Sequence, residues 1–536
     1  MRQMMYIKTV SNVFFMNRFY MAKRFSLTWG RALALLVLIW LVPLAFFCNL
    51  LLSGDETRVA GISAGILLTQ DWLVPYLNGK PFLEYPPLYY WWVGLFLKIF
   101  GVCEWAASLA STVAAAGSVG LVWKIVRRTG GSDMLAAAAG MMLMSSAQFL
   151  DDSHMVRADI LLTFFVALAF YGFCILVRCG GTSRKWDDFR GWLLLALGVG
   201  GGVMTKGLVG FVLPASCMGM YLLCNDLWAR RFRIRPWLLT GAAFLAGMIP
   251  VLLWGWALYQ RPGGPEMVHT VAIVNNLGRF TGSQGDHVAP FYEYWLGLPA
   301  LFQPYLVLVF AGLWVLGRKV RREQDRKALL FVLYLLMPFL ILNIASAKRV
   351  VYLLPLAPAA ALVAAEGGAW LLERLAVLRE WIRMVPPFLL SGLPRWSGKV
   401  IAVFVQVYDR AARTSLRTWF CFFAGVGIVV VAALISVSYI RQEKDTVRGL
   451  WQCAAKIAAR ENRAIVLIQP PERASGAAVF FLGRVVEDRR EMTLAGKPEL
   501  WILRRRWPDK YRKNDRHRMF RMPEDYDKLQ KLISRQ

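Results

Sequence analysis

The most regular feature of the sequence is a series of long uncharged stretches separated by short polar segments. Many stretches run for about 18 to 22 residues, the length that a helix needs to cross the hydrocarbon core of a bilayer. Because the backbone must satisfy its own hydrogen bonds within lipid, each stretch is expected to be helical. The pattern predicts about eleven spans, near 32–52, 105–126, 133–150, 160–177, 192–205, 207–224, 237–257, 296–317, 328–345, 350–368 and 417–440.

Two regions depart from this pattern. The aromatic stretch 86–101 is too short to span, and its Trp and Tyr residues favour an interfacial helix. The tail 441–536 reads as a small mixed α/β domain, with a helix over 448–460 and strands over 464–469, 477–482 and 499–503. The predicted fold class is therefore an all-α polytopic membrane protein with a small C-terminal α/β domain.

Composition and charge support a membrane protein. The chain is 57% hydrophobic, only 18% charged and has a net charge of +29. Its basic clusters fall in alternate loops, at 127–128, 178–190, 230–235 and 318–322, which the positive-inside rule places in the cytoplasm. The charge thus indicates topology, and nucleic acid is not an expected partner. The eight cysteines lack a CxxC pair and read as small apolar residues, not as a disulfide framework or a metal site.

The same rule orients the chain. Residues 1–31, basic and without an acidic residue, form a cytoplasmic N-terminus, followed by a retained first span and not by a cleaved leader. The transmembrane region covers 32–440 and includes a first outer loop at 53–104. An odd number of spans then places 441–536 outside the cell membrane. The basic stretch 369–416 is assigned to the cytoplasmic surface.

The first outer loop holds the acidic candidates. Asp55 and Glu56 stand where a span leaves the membrane. Asp55 is either a helix N-cap on the residues that follow or a catalytic base whose partial burial improves proton acceptance. Glu84, shortly before Pro86-Pro87, either belongs to a rigid loop or is held in place for function.

Cations form a second group on the same predicted face. Lys206, before Gly207 and between two spans, either snorkels to the interface or binds a lipid phosphate. Arg279, Lys348 and Arg349 in later loops are suited to neutralising a phosphate. His269 either is simply solvated or joins Glu84 as a ligand of a divalent metal ion, the one cofactor considered.

Taken together, these motifs resemble the GT-C glycosyltransferases that use lipid-linked sugars, in particular the dolichyl-phosphate-mannose–protein mannosyltransferase and lipid A aminoarabinose transferase superfamily. The resemblance extends from about residue 45 to 365. The motifs that carry it are Asp55-Glu56, Asp71-Trp72 with Pro75, Glu84 before Pro86-Pro87-Leu88, Arg157-Ala-Asp159, Lys206-Gly207, and Lys348 with Tyr352-Leu-Leu-Pro355.

The resemblance implies a hexosyl- or pentosyltransferase with its active site on the periplasmic face of the inner membrane. The donor would be a sugar on a polyprenyl phosphate, and the acceptor a lipid, a glycan or a protein. Asp55 would act as the base or orient the acceptor, with inversion, and Asp159 would be a second catalytic acidic residue. The implied substrate-binding residues are Glu56, Arg58, Glu84, Tyr85, Lys206, Arg279, Lys348, Arg349 and Tyr352, and Glu84 and His269 would bind any metal.

The motif has one departure. Many relatives have Lys between the acidic residue and Pro-Pro, whereas this chain has Tyr85. The change removes a phosphate contact and makes this chain less like the aminoarabinose transferase at this motif. The sequence names neither the sugar nor the acceptor. A transporter or flippase of a lipid-linked sugar is the alternative function, but it predicts inverted repeats and broken helices at the midplane, which are not evident.

Overall fold

The computed structural model describes residues 26–48, 55–179, 186–278, 289–384, 424–436, 447–468, 470–489, 499–503 and 517–521. This part of the chain is mostly helical. Its helices are α1 (Ser26–Phe47), α2 (Asp55–Thr69), α3 (Leu88–Phe100), α4 (Glu104–Arg128), α5 (Asp133–Met144), α6 (Ala147–Asp152), α7 (Ala158–Leu176), α8 (Asp187–Lys206), α9 (Val209–Ala229), α10 (Ile234–Tyr259), α11 (Gly264–His269), α12 (Glu293–Phe302), α13 (Leu306–Glu323), α14 (Arg326–Ile344), α15 (Ala357–Met384), α16 (Ala424–Ser436), α17 (Val447–Arg460) and α18 (Glu472–Leu482).

Seven apolar helical stretches within the described residues are long enough to cross a membrane. They are Trp29–Phe47, Glu104–Arg128, Ala158–Leu176, Val209–Ala229, Ile234–Tyr259, Arg326–Ile344 and Val350–Arg374. The chain is therefore a polytopic membrane protein, although the predicted count of about eleven spans is not established. An eight-residue π-helix (Thr270–Leu277) and a 3-10 helix (Val350–Leu356) complete the described helical elements.

Two predicted spans are each broken into two helices. The stretch 133–150 divides at Ser145-Ser146 into α5, of 12 residues, and the short α6. The stretch 296–317 divides between α12 and α13, with Pro304 in the connection, and Pro lacks the N–H that a continuous helix requires. The hydropathy pattern does not show either break, because the interrupting residues are small or uncharged. Each pair of helices was therefore predicted as one span.

The helical segment that contains the predicted span 350–368 extends beyond it. Helix α15 continues without interruption to Met384, into the stretch 369–416 that was assigned to the cytoplasmic surface. The rest of that stretch lies outside the described residues, as do 417–423 and 437–440 of the predicted span 417–440.

Close packing of α7 against α8 forms the centre of the molecule. The two helices are antiparallel and meet through small residues. A β-carbon on Gly198 would overlap the backbone of Ala169, and one on Gly172 would overlap the backbone near Leu195. Small residues let helices in a membrane approach closely. This packing brings the beginning of α7 beside the end of α8.

The segment predicted as the first outer loop contains regular structure. Helix α2 starts at Asp55 itself, so Asp55 is its first residue and not a cap preceding it. A small hairpin follows, formed by β1 (Tyr76–Leu77) and β2 (Lys80–Pro81). Its turn is Asn78-Gly79, both with positive φ, as Asn-Gly turns in hairpins require. Helix α3 then has 13 residues, shorter than a span, as predicted for this aromatic stretch.

The C-terminal part forms a parallel sheet of four strands flanked by helices. The strands β3 (Ala464–Ile468), β4 (Glu487–Arg489), β5 (Glu499–Leu503) and β6 (His517–Arg521) lie in the order β4-β3-β5-β6. Its helices are α17 and α18. The predicted helix at 448–460 and the strands at 464–469 and 499–503 are close to these elements.

One predicted strand of the tail is wrong. Residues 477–482 belong to α18, which begins after Pro471 and ends at Gly483 with a positive φ. A short apolar run does not distinguish a buried strand from a buried helix. The small residues that precede it, Ala474-Ser475-Gly476, belong to the same helix and are also buried.

Candidate active site

A buried ion pair between Lys206 and Asp159 lies where α7 and α8 meet. Lys206 is 8% exposed and Asp159 is 7% exposed, and the Lys206 ammonium donates to Asp159 Oδ1. Asp159 lies in the first turn of α7 and Lys206 in the last turn of α8. Each charge is thus at the helix end whose dipole favours it. The helix packing therefore fixes the position of the pair.

Gly207 terminates α8 directly after the lysine. Its φ is +68°, a conformation that glycine adopts without strain. A β-carbon there would overlap the side chain of Asn276, whose Oδ1 accepts a hydrogen bond from Leu208 N at 3.0 Å. The Lys-Gly pair of the sequence is therefore a helix terminus that holds Lys206 and contacts the π-helix.

Two tyrosine rings face the Lys206 ammonium. Its Nζ lies 4.2 Å from the ring centroid of Tyr352 and 5.8 Å from that of Tyr85. Both distances fall within the range of cation–π attraction. Tyr85, the residue that departs from the sequence motif, is therefore part of the environment of the lysine.

These residues line one cavity, which contains about 570 Å³ of space, some of it open to solvent. Four cationic side chains and one carboxylate are among its described lining residues. The lining consists of Arg58, Val59, Tyr85, Pro86, Tyr89, Tyr90, Val156, Arg157, Ala158, Asp159, Thr205, Lys206, Arg349, Val351 and Tyr352. The cavity thus has an excess of positive charge and aromatic walls, a combination suited to an anionic group attached to a larger organic molecule.

Arg157 reaches this cavity from a buried polar cluster. Its Nη1 lies 3.0 Å from Oδ1 of Asp152, which is fully buried. Gln148 Nε2 donates to the other oxygen of Asp152 at 2.6 Å. Burial raises the pKa of the Asp152 carboxyl to about 6, although Gln148 and Arg157 partly offset the rise. Asp152 is therefore the anchor of Arg157.

The structure distinguishes the two adjacent cations of the later loop. Arg349 lines the cavity, whereas Lys348 does not. Lys348 is buried, and its Nζ donates to the carbonyl oxygen of Ala345 at 2.5 Å. The geometry thus points to Arg349 as the residue that faces a bound anion, and to Lys348 as a residue that braces the loop.

Arg58 lies on the cavity wall between two carboxylates. Its Nη2 is 3.2 Å from Glu84 Oε2, and its Nη1 is 2.7 Å from Oε2 of Glu472 in the C-terminal part. Glu56 is buried in the same turn of α2, and its charge acts on Arg157. Helix α2 therefore directs its first turn towards the cavity.

Two predicted site residues stay untested, and a third lies away from the cavity. Asp55 begins α2, but its side chain is outside the described part of the chain, as is the whole of Arg279. His269 is exposed at the end of α11 and does not line the cavity. Within the described ranges, no group of three or more His, Cys, Asp or Glu residues is placed to hold a metal ion.

Some residues that contribute to the site were not predicted from the sequence. Arg157 was noted only as part of a motif, and Asp152 and Glu472 were not considered. The pair Asn78-Gly79 is a sequence signal for a hairpin turn, so the hairpin could have been predicted. Asp71 has a structural role, because its Oδ1 accepts from the backbone N–H groups of Leu73 and Val74 and so caps a turn.

Comparisons with known proteins agree with this fold. The profile of the dolichyl-phosphate-mannose-protein mannosyltransferase family matches residues 84–254. An undecaprenyl phosphate-α-4-amino-4-deoxy-L-arabinose arabinosyl transferase of Sodalis glossinidius is 31% identical over 62% of this chain and 57% of its own length. The Pseudomonas aeruginosa UCBPP-PA14 transferase is 30% identical over 65% of this chain and 60% of its own length. The chain thus spans less than two thirds of these relatives.

Solved structures match over more of the chain. The crystal structure of ArnT from Cupriavidus metallidurans bound to undecaprenyl phosphate has a TM-score of 0.64 at 18% identity, covering 86% of this chain and 85% of that one. An Archaeoglobus fulgidus oligosaccharyltransferase has a TM-score of 0.51 at 13% identity, covering 87% and 64%.

This chain has the fold of these two solved structures, and its sequence resembles the dolichyl-phosphate-mannose-protein mannosyltransferase family over residues 84–254. Over part of its length, its sequence is similar to that of the aminoarabinose transferases.

Proposed function

We propose that this protein is a glycosyltransferase that moves a sugar from a polyprenyl phosphate to an acceptor, with inversion at the anomeric carbon. The observation that carries the proposal is a cavity lined by Arg58, Arg157, Lys206 and Arg349, with Asp159 as its one described carboxylate. A phosphate that leaves with negative charge is stabilised by cations fixed in place before the reaction. The names of the relatives support such a donor.

In the proposed reaction, an acceptor hydroxyl attacks the anomeric carbon of the sugar. The bond from that carbon to the phosphate oxygen breaks, and the polyprenyl phosphate leaves with the electron pair. Arg157 and Arg349 would hold this phosphate. Lys206 would add positive charge, reduced by its pairing with Asp159. Asp159 thus fits the role of fixing Lys206 better than that of an independent base.

Asp55 is the proposed base, which takes the proton of the acceptor hydroxyl or orients that hydroxyl. This part of the proposal rests on the sequence motif and on the position of α2. Arg58, one turn later in the same helix, lines the cavity, so the start of α2 is close to the reacting groups. Glu56 and Glu84 would fix the cations around it.

The first donor to test is the aminoarabinose derivative named for the relatives, with a lipid A-like lipid as acceptor. The sugar is the part of the donor to vary, because Tyr85 places an aromatic ring near Lys206 where many relatives have a lysine. Donors that differ only in the sugar would identify the preferred one. Glycans and proteins are the other acceptor classes.

We place the reaction at the periplasmic face of the inner membrane. The C-terminal part contacts α2 and the hairpin, so those segments lie on one side of the molecule. The basic clusters Arg127-Arg128 and Arg230-Arg231 belong to loops predicted on the other side. The side that carries the cavity is then the outer one.

The experiment compares wild-type protein with Asp55→Asn in membrane vesicles that contain lipid A. The probe is undecaprenyl phosphate-linked 4-amino-4-deoxy-L-arabinose, and the readouts are released undecaprenyl phosphate and the mass added to the acceptor. Loss of a general base typically lowers the rate by about 10²- to 10⁴-fold. Asp151→Asn removes an exposed carboxylate and should retain the wild-type rate. A fully active Asp55→Asn protein would exclude Asp55 as the base.

The same vesicles distinguish a transferase from the transporter alternative. A transporter moves the donor across the bilayer with its sugar still attached, whereas a transferase releases undecaprenyl phosphate. None of the relatives reported above is a transporter. Movement of intact donor without release would therefore overturn the proposal.

A divalent ion is the least supported element. Glu84 is paired with Arg58, and it does not belong to a group of three or more His, Cys, Asp or Glu residues within the described ranges. No step is therefore assigned to a metal. If Glu84 and His269 do bind one, both a chelator and His269→Ala should lower the transfer rate. Transfer that survives both treatments leaves Glu84 as a partner of Arg58 alone.

A further inference from the structure

We infer that Glu472, in the C-terminal part of the chain, is a positioning residue for the active site. It acts through Arg58, which it holds against the cavity wall together with Glu84. The inference rests on the proposed transfer reaction and extends it, because it makes the C-terminal part a component of the catalytic centre.

The first support is the contact between α2 and α18. A β-carbon on Gly61 would overlap the backbone of Gly476, and one on Gly476 would overlap the backbone of Thr57 and Arg58. The two helices therefore touch backbone to backbone. In addition, Thr57 Oγ1 donates to the carbonyl oxygen of Arg473 at 2.8 Å. The contact occurs within the first two turns of α2, next to the residue that reaches the cavity.

The second support is the way in which Arg58 is shared. Each terminal nitrogen of its guanidinium group faces a different carboxylate, at 2.7 Å for Glu472 and 3.2 Å for Glu84. The planar group is therefore fixed at two points, and its face covers the ring of Phe82 at 5.4 Å. A guanidinium group can span two acids in this way, whereas a lysine ammonium group cannot reproduce the fork.

The third support is the difference in burial along this chain of charges. The Arg58 side chain is 17% exposed and that of Glu84 is 12% exposed, whereas that of Glu472 is 57% exposed. Exposed ion pairs contribute little to stability. Replacement of Glu472 should therefore leave the fold intact and release Arg58 from one of its two anchors. The guanidinium group then loses its fixed direction relative to the cavity.

The test measures transfer kinetics of the full-length protein with Glu472→Gln, again with undecaprenyl phosphate-linked 4-amino-4-deoxy-L-arabinose. Misplacement of a catalytic group by a fraction of an ångström lowers the turnover, so kcat should fall about tenfold. The KM for the donor should change by less than about twofold, because the cations that bind the phosphate remain. Glu472→Asp, which keeps the charge, should recover part of the rate.

The matched control is Asp488→Asn. Asp488 pairs with Lys80 at 2.7 Å across the same contact between the C-terminal part and the first outer loop, but neither residue lines the cavity. This variant should keep the wild-type kcat. If both variants slow transfer equally, the effect comes from docking of the C-terminal part and not from Arg58, and the inference is wrong.

A double-mutant comparison tests the route through Arg58. In an Arg58→Lys background, the ammonium group cannot bridge both acids, so Glu472→Gln should have little further effect. An undiminished tenfold effect in that background would overturn the inference. Wild-type protein that transfers no sugar from the donor series would instead refute the proposed function, and this inference with it.

Discussion

Lys206 shows what a single residue contributes when its partners are fixed by distant parts of the chain. The Lys-Gly motif identifies the residue as unusual, because a charged residue at the depth of the apolar spans is rare. Its partner Asp159 is 47 positions away and could not be deduced from spacing. That pairing depends on the register of α7 against α8, which glycine contacts set. The two tyrosine rings come from two further segments.

Arg157 is a cavity residue whose direction depends on a buried acid. Asp152 has a raised pKa of about 6, mainly because it is buried, and the charges of Asp151 and Asp159 raise it further. Above that pH, the ionised carboxylate pairs with Arg157. Below it, the carboxyl group is neutral and the ion pair is lost. The sequence does not show which of the two adjacent aspartates is buried, and Asp151 is exposed.

Transfer by the wild-type protein should therefore decrease as the pH falls through about 6. Stability should show the opposite sign, because a carboxyl with a raised pKa favours the folded state most below its ordinary value near 3.8 and loses that contribution as the pH rises through about 6. Asp152→Asn should be slower at neutral pH and lack this dependence. The checks are a pH–rate profile and thermal unfolding across the same range.

Asp151→Asn is the control for this prediction. Its carboxylate is exposed and adjacent in sequence, and its charge contributes to the raised pKa of Asp152, so its loss should move the decrease in rate to a slightly lower pH without abolishing it. An unaltered profile in Asp152→Asn would show that another group sets the dependence.

At the scale of the element, helix ends determine where the cavity residues stand. Helix α8 ends at Lys206 because Gly207 adopts a positive φ, and α7 begins immediately before Asp159. The predicted spans, which begin at 160 and end at 205, come within two residues of both termini. The prediction failed at 477–482, where a helix was taken for a strand, because the buried face extends back through small residues.

Gly207→Ala tests the importance of the α8 terminus. The new β-carbon would require a strained backbone at φ +68° and overlap Asn276. Such strain costs about 1–3 kcal/mol, and the shift of Lys206 should also slow transfer. Thermal unfolding and transfer rate are the measurements.

Gly120→Ala is the opposite case. A β-carbon on Gly120, within α4, meets no heavy atom within 4 Å. Alanine favours a helix over glycine by about 0.5–1 kcal/mol, so this variant should be at least as stable as the wild type. A Gly207→Ala protein that matches it in stability would contradict the role assigned to the terminus.

At the scale of the molecule, the hydropathy pattern predicts the class of protein and the helical fold. It does not reveal where helices break, because Ser145-Ser146 and the segment around Pro304 interrupt apolar stretches without adding charge. Nor does it reveal that the C-terminal part docks on the first outer loop. That contact uses the hairpin residue Asn78, whose side chain exchanges hydrogen bonds with the backbone of Val486 at 2.7 and 2.8 Å.

The docking predicts a topology that can be measured. Lys80→Cys and Val485→Cys, each alone in a cysteine-depleted background, should react with a membrane-impermeant thiol reagent from the same side of intact cells, because both positions are exposed on the docked face. Arg230→Cys, in a basic loop, should react only after the membrane is opened. Labelling of Lys80→Cys and Val485→Cys from different sides would contradict the structure.

The contact between α2 and α18 also has a consequence for biosynthesis. Arg58 and Glu472 are separated by 414 positions, so the ribosome makes the first long before the second. At about 5–20 residues per second, the delay is roughly 20 to 80 seconds. During that interval the start of α2 is already made but lacks its packing partner. The first turns of α2 in the nascent protein therefore lack this contact until α18 has been made and packs against them.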